Sequence, residues 1–328
     1  MLVRRLTSNR IDNALYIYNE DEINNIYSFL DKAEFISKFL NRNEVESVIY
    51  EAIDENEKTI GIIVCDYKKE YLRDETFDNT PGYISFLKTD INHRRKGVGG
   101  FLVDTALDFF RSIGKKTVAI TYRNPINLEW HVPFDQTIKH NNAPGVVVGS
   151  AAFHLFKKKG FAETRVEDGL FLPLDGFILS EKYYEKRNNL EKNNIQIEFY
   201  NHEEHFGFDD LFDALHGEVW RKTIHDNEAL DKPLPVLVAS DCNKIVGFAG
   251  PISKEKNGRG WFNGIATHPD YERRGIAFVL FSRLMQEFKE IGARFSTIFT
   301  DEENPALILY KKVGFTVGER FSIMERSL

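Results

Sequence analysis

Two short strings carry the clearest chemistry in this chain. The first is Arg94-Arg95-Lys96-Gly97-Val98-Gly99-Gly100, and the second is Glu272-Arg273-Arg274-Gly275-Ile276-Ala277-Phe278. Each lies between an apolar run of strand character and a long amphipathic run, so each is placed to open a helix. A helix N-terminus offers unsatisfied backbone N–H groups and the positive end of the macrodipole. Glycine there accepts φ > 0 and lets phosphate oxygens come close to the backbone. The cations before the glycines add the charge a pyrophosphate favours. A lone glycine pair is weak evidence, because a turn packed close to a helix gives the same pattern. Other nucleotide motifs fit poorly: there is no Gly-x-x-x-x-Gly-Lys-Ser/Thr, and no three-glycine string at the first strand–helix turn.

Repetition strengthens the reading. Gly97 and Gly275 lie 178 positions apart, and this offset holds without a gap for 83–122 against 261–300. It pairs Thr89 with Thr267, Arg95 with Arg273, Leu102 with Leu280 and Phe110 with Phe288. A second match, Lys159-Gly160-Phe161 against Val313-Gly314-Phe315, comes at an offset of 154, so the first copy holds 24 additional residues. A period this long means duplicated domains rather than a solenoid.

The elements that must position these strings follow the same order in both copies. The first copy reads as strand 2–7, helix 21–40, strands 45–53, 59–65 and 82–89, then the loop and a helix to Ile113 closed by Gly114. Strand 117–122, helix 151–159 and strand 161–166 complete it. The second reads as strand 195–200, helix 203–219, strands 235–240, 244–250 and 260–267, a loop, and a helix to Ile291. Strand 295–300, helix 304–312 and strand 315–318 follow. Between them, 180–194 is rich in Glu, Lys and Asn and suits an exposed helical linker. The expected domains are therefore 1–179 and 195–328.

Composition bounds the partners. The 328 residues are comfortable for two domains, and 42% apolar with 28% charged residues is globular rather than disordered. A formal charge of −7 argues against nucleic acid as a partner. Cys65 and Cys242 both fall in apolar runs and read as buried reduced thiols. No apolar stretch approaches a membrane span and the N-terminus has no secretory h-region, so the expected location is cytoplasmic. A homodimer stays open.

The pattern resembles the GNAT acyltransferase superfamily, whose loop is Gln/Arg-x-x-Gly-x-Gly/Ala. Arg94, Gly97 and Gly99 meet it, as do Gly275 and Ala277, whereas Glu272 departs from it. The run Ala266-Thr267-His268-Pro269 also looks like the family's approach to this loop. The resemblance implies two tandem α/β (α+β) folds, each a mixed, mostly antiparallel splayed sheet flanked by helices, as in the mycothiol synthase architecture. It implies acetyl-CoA, or another acyl-CoA, as co-substrate and a small-molecule amine as acceptor, with direct transfer in a ternary complex. The pyrophosphate would meet 94–100 and 273–278, and the pantetheine arm would meet Leu87, Thr89, Ile265, Ala266 and Thr267.

In the family a later helix carries Asn-x-x-Ala-x-x-x-Tyr-x-x-x-Gly-Phe, its Tyr acting as general acid to the departing thiolate. Asn304 and Tyr310 stand near these places, whereas the first copy has Ser150 and Phe156. The resemblance thus favours the C-terminal copy as catalyst, with Tyr310 as acid. Tyr122 and His154 are weaker substitutes in the first copy. No general base stands out among Glu218, His225, Asp226, His268 and 301–303. The extra residues, within 123–149, read as a lid or an ordered surface loop; His131 and His140 lack a compact metal-ligand spacing. Two rivals are a non-catalytic acyl-CoA-binding module and an aminoacyl-tRNA-dependent peptidyl transferase. Against the second stand the intact loop and the acidic balance.

Overall fold

The computed structural model describes residues 1–20, 26–71, 75–121, 124–126, 128–132, 135–140 and 143–328. Two compact units comprise Met1–Gly169 with Gly318–Leu328, and Leu170–Val317. These differ in two places from the expected 1–179 and 195–328. Gly318–Leu328 packs with the first unit, where Phe321 and Met324 are fully buried. The stretch 180–194 is no exposed linker: it forms a helix in the second unit whose Tyr183 and Leu190, two turns apart, join that core.

The first unit contains β1 (Leu2–Arg5), α1 (Ile11–Asn19), α2 (Lys32–Phe39), β2 (Val45–Ile53), β3 (Thr59–Lys68), β4 (Gly82–Thr89), α3 (Val98–Ser112) and β5 (Thr117–Ile120). After these come β6 (Trp130–Val132), β7 (Asp135–His140), β8 (Val146–Val147), α4 (Ala151–Lys158) and the start of β9 (Ala162–Pro173). Strand order is β1-β2-β3-β4-β5, then the last strand of the chain, then β9. Helix α3 buries Val98, Leu102, Ala106 and Phe110, a strict i, i+4 stripe, against Ile63, Cys65 and Ile84. On the opposite face Ile17 and Tyr18 of α1 and Phe35 and Phe39 of α2 cover Ile62, Val64 and Phe86. β3 is therefore buried on both faces, which explains its continuous apolar run.

Among the described residues, the expected helix 21–40 is realised as α2. Asp31 and Glu34 form a capping box that starts the helix there. Helix α1 was not foreseen, although Ile11, Ala14, Ile17 and Tyr18 share its buried stripe. Residues 21–25 and Tyr122 lie outside the described residues. The segment 123–149 holds the β6–β7 hairpin, with Trp130 buried and packed 5.0 Å from Phe321.

The second unit contains α5 (Glu181–Lys192), β10 (Ile195–Phe199), α6 (Phe208–Leu215), α7 (Glu218–Glu228), β11 (Leu237–Asp241), β12 (Lys244–Gly250), β13 (Ser253–Lys254), β14 (Arg259–Trp261) and β15 (Gly264–Thr267). Then follow α8 (Ile276–Glu290), β16 (Phe295–Asp301), α9 (Ala306–Val313) and the start of β17 (Thr316–Ser327). The expected helix 203–219 is realised as α6: His216 takes φ +51° and ends it, and a further helix, α7, begins at Glu218 and runs past the expected range to Glu228. The expected strand 260–267 is two, because β14 pairs with β16 whereas β15 pairs with β12. Cys65 is buried as expected, but Cys242 is exposed, in the tight β11–β12 turn at φ +49°. No helix among the described residues is long and apolar enough to cross a membrane.

Candidate functional site

Both glycine strings fold into the same local geometry. A 3-10 turn, Ile91–His93 or Pro269–Tyr271, is capped by Asp90 or His268 through the backbone N–H two residues on. Arg95 and Arg273 then each take φ +60°, and Gly97 and Gly275 take +87° and +95° as N-caps of α3 and α8. A left-handed residue just before a helix turns successive N–H groups toward one point, a concavity suited to phosphate oxygens.

In the first unit this loop meets a gap in the sheet. β4 pairs with β5 only at Gly82 and Tyr83, while its far end to Thr89 is held by β3 alone. The strands splay, and a cleft of about 1100 Å³ opens between them. Leu87, Thr89, Arg94, Arg95, Gly97, Val98, Gly99 and Gly100 all line it, joined by Lys158 of α4 and by Lys159, its C-cap. Lys96 is exposed and does not line it. Phe156, at the place where the family keeps an acid, lines the cleft and packs 5.2 Å from Phe161.

The second unit holds a smaller cavity, of about 490 Å³, lined by Arg273, Gly275 and Phe278, with Lys182, Lys186 and Lys312 around them. Lys186 of α5 lies against the loop: a Cβ on Gly275 would sit 3.3 Å from its Cδ. Ile265, Ala266, Thr267, Arg274, Ile276 and Ala277 do not line this cavity. Ile276 is in the core, and Arg274 donates to the Asp270 carbonyl at 3.0 Å while stacking on Tyr271.

Tyr310 is 8% exposed, its ring 5.0 Å from Phe281, and it is not among the cavity's lining residues. Burial pushes its hydroxyl above the ordinary tyrosine range. Asn304 lies two residues before α9 and its Oδ1 accepts from the Ala306 N–H at 2.9 Å, whereas Ser150 is the N-cap of α4 and accepts from the Phe153 N–H at 3.1 Å. Both side chains thus accept from a backbone N–H at the start of a helix, Ser150 as a cap and Asn304 in the turn before Pro305.

The acidic and histidine candidates are held in surface pairs: Glu218 with Arg221 at 3.2 Å, His225 with Glu228 at 3.3 Å, and Asp226 with Lys222. Asp301 caps the turn at Glu303. Sequence reasoning missed a pair in the first unit, the cleft-lining Ser85 and the fully buried Asp66. The available signal was an aspartate directly after the apolar run that forms β3.

A model of the acetyltransferase (GNAT) family matches residues 13–132 and 193–315. No curated protein matches the chain in a sequence comparison. Among solved structures, the chain is similar to a GCN5-related glucosamine N-acetyltransferase region of a fungal multi-domain β-N-acetylglucosaminidase. The TM-score is 0.64 at 16% identity, over 99% of this chain and 38% of that one. It is also similar to a GCN5-related N-acetyltransferase from Sphaerobacter thermophilus, with TM-score 0.57, 14% identity and coverage of 99% and 95%. A tandem GNAT protein from the clavulanic acid biosynthesis pathway gives 0.53 at 12% identity, over 99% and 98%. At these identities the neighbours speak for the fold, two GNAT folds in tandem. With both copies matched over most of its length, the chain belongs to the acetyltransferase (GNAT) family and is an acyltransferase of that family.

Proposed function

We propose that the protein transfers an acyl group, acetyl by preference, from coenzyme A to the primary amine of a small molecule, directly and within one ternary complex. The observation that carries this is the convergence in the first unit of the glycine loop at Arg94–Gly100, the splayed end of β4 and the two lysines at the end of α4, Lys158 and Lys159, on one cleft. The residues fit the co-substrate. Successive N–H groups at Arg95–Gly99 and the Arg94, Arg95, Lys158 and Lys159 cations suit a pyrophosphate and a further phosphate. The unpaired edge of β4 near Leu87 and Thr89 offers hydrogen-bonding groups to an amide-containing arm. The thioester supplies an activated carbonyl; the chain's own task is to orient it and to manage the amine proton.

A second reading places the chemistry in the C-terminal unit, with Tyr310 as general acid, Asn304 setting its helix, and the 273–278 loop with 265–267 holding the coenzyme. It is favoured by the Tyr310 hydroxyl, which has no hydrogen-bond partner among the described residues and so is free to donate. On this reading 1–179 and 195–328 are the repeated units of sequence, although the compact units are drawn otherwise. Acetyl-CoA turnover on a panel of primary amines, led by glucosamine because of the fungal neighbour, tests both. Loss of coenzyme binding in Arg94→Ala locates it in the first unit; undiminished turnover in Tyr310→Phe removes the acid role. Tight coenzyme binding without turnover of any amine would make the protein a binding module instead.

A further inference from the structure

We propose that Asp66, acting through Ser85, accepts the proton of the acceptor amine in the first unit's cleft. This rests on that cleft being the acyl-transfer site. The placement comes from an irregularity in β4. Val64 pairs with Phe86 and Cys65 with Ile84, so Ser85 is one residue too many and bulges from the ladder. Bulges re-aim side chains and gather beside active sites. Ser85 lines the cleft, and its hydroxyl is buried without a hydrogen bond of normal geometry.

Behind it stands Asp66, 0% exposed, in the middle of the sheet. Ser47, directly opposite on β2, donates to Oδ1, while Oδ2 is buried and unpartnered. Buried carboxylates are normally paired with a cation, yet no salt bridge reaches Asp66 among the described residues. The groups that face it are Ser47 from β2, Ser85 from β4, Arg42 from the segment before β2 and the adjacent Cys65. Arg42 is engaged by the Pro125 carbonyl and by Glu44 at 3.6 Å, and the Cys65 thiol is kept neutral by burial. Desolvation pushes the Asp66 carboxyl up to about 6, opposed by Ser47, Ser85 and Arg42. A base with that affinity takes a proton near neutral pH and returns it readily.

The single torsion of Ser85 moves its hydroxyl between staggered positions at little cost, facing the cleft in one and the carboxyl in another. A proton of the substrate ammonium passes to Ser85 Oγ as the Ser85 proton passes to Asp66 Oδ2. The freed lone pair forms the C–N bond. The C–S bond then breaks with its electron pair on sulfur, which takes the remaining ammonium proton of the adduct, and Asp66 later releases its own to water.

Two measurements on the full-length protein test this. Carbon-13 carboxyl titration, with Asp66→Asn for assignment, should show Asp66 titrating far above an ordinary aspartate and moving further up in Ser85→Ala, which loses a donor to the carboxylate. Turnover of acetyl-CoA with glucosamine and the amine panel, followed from pH 5 to 9, should lose its acidic limb in both variants. It should also fall about 10²-fold in kcat with an unchanged KM for acetyl-CoA. An Asp66 titration indifferent to Ser85→Ala overturns the relay whether or not an acceptor is found, as does an Asp66→Asn variant with wild-type rate and limb. A coupled Ser85–Asp66 pair in a protein that turns over no amine would instead overturn the transferase reading of the cleft.

Discussion

At the scale of single residues, Asp66 makes a claim about stability as well as chemistry. Its folded carboxyl titrates near 6 and its unfolded one near 3.8. A raised folded value means that the protonated form is the one folding favours. The benefit is complete below pH 3.8 and is lost as pH rises through 6. At pH 8 the ionised, desolvated carboxylate costs about 3 kcal/mol, and at pH 5 about half of that. Asp66→Asn should therefore be the more stable protein in urea at pH 8, with the gap narrowing at pH 5. A destabilised Asp66→Asn at pH 8 would show that the carboxylate is a structural anchor. Tyr310 makes the opposite pair of claims. Tyr310→Phe removes a hydroxyl without a partner, so stability should change by less than about 0.5 kcal/mol. If the second reading holds, kcat should drop about 10²-fold or more. Because burial raises the tyrosine's proton affinity, wild-type kcat should not decline through loss of this acid below pH 10.

Among the elements, the two copies share a close strand–helix contact besides the loop. A Cβ on Gly82 would lie 2.3 Å from the Phe110 ring, and one on Gly260 2.4 Å from Phe288. Strand β4 thus presses directly on α3, and β14 on α8. Gly82→Ala and Gly260→Ala should each cost about 1–3 kcal/mol through overpacking, read from urea midpoints at constant m. Wild-type midpoints would mean that the ring gives way freely. The Phe110–Phe288 correspondence was legible in the sequence, and so were the loops and long helices. Their signals are local: a period of 3.6, a glycine at a helix start, a fixed offset between copies. What was not legible depends on partners distant in sequence. Trp261 and Gly264 look like one continuous strand until β16 and β12 divide them between two sheets. Glu, Lys and Asn in 180–194 hide Tyr183 and Leu190, whose burial is set by α8. Ser85 leaves the β3–β4 ladder through a bulge, and a bulge is a property of the pairing rather than of one strand.

For the whole molecule, the informative feature is which residues complete the first unit. Gly318–Leu328 belongs to it although 148 residues of the second unit intervene. This segment of β17 lies between β5 and β9, with Met324–Ser327 paired to Ile120–Thr117. Phe321, Ile323 and Met324 are buried there. Withdrawing three such side chains removes about 5–9 kcal/mol of apolar burial, comparable with the whole stability of an ordinary domain. It also leaves two strands with open edges. A chain ending at Val317 should therefore lose the cooperative unfolding of the first unit and its acetyl-CoA binding. Trp130, freed from Phe321, should shift its fluorescence to the red in a variant lacking Trp220 and Trp261. The fragment 1–179 should behave in the same way, and appending residues 318–328 to it through a flexible linker should restore a cooperative transition. If 1–179 alone folds cooperatively and binds acetyl-CoA, the last strand is dispensable and each repeat is a domain in its own right. If only the supplemented fragment does so, neither repeat folds as a simple copy of its sequence, and the coenzyme cleft of the first unit depends on the last residues of the chain.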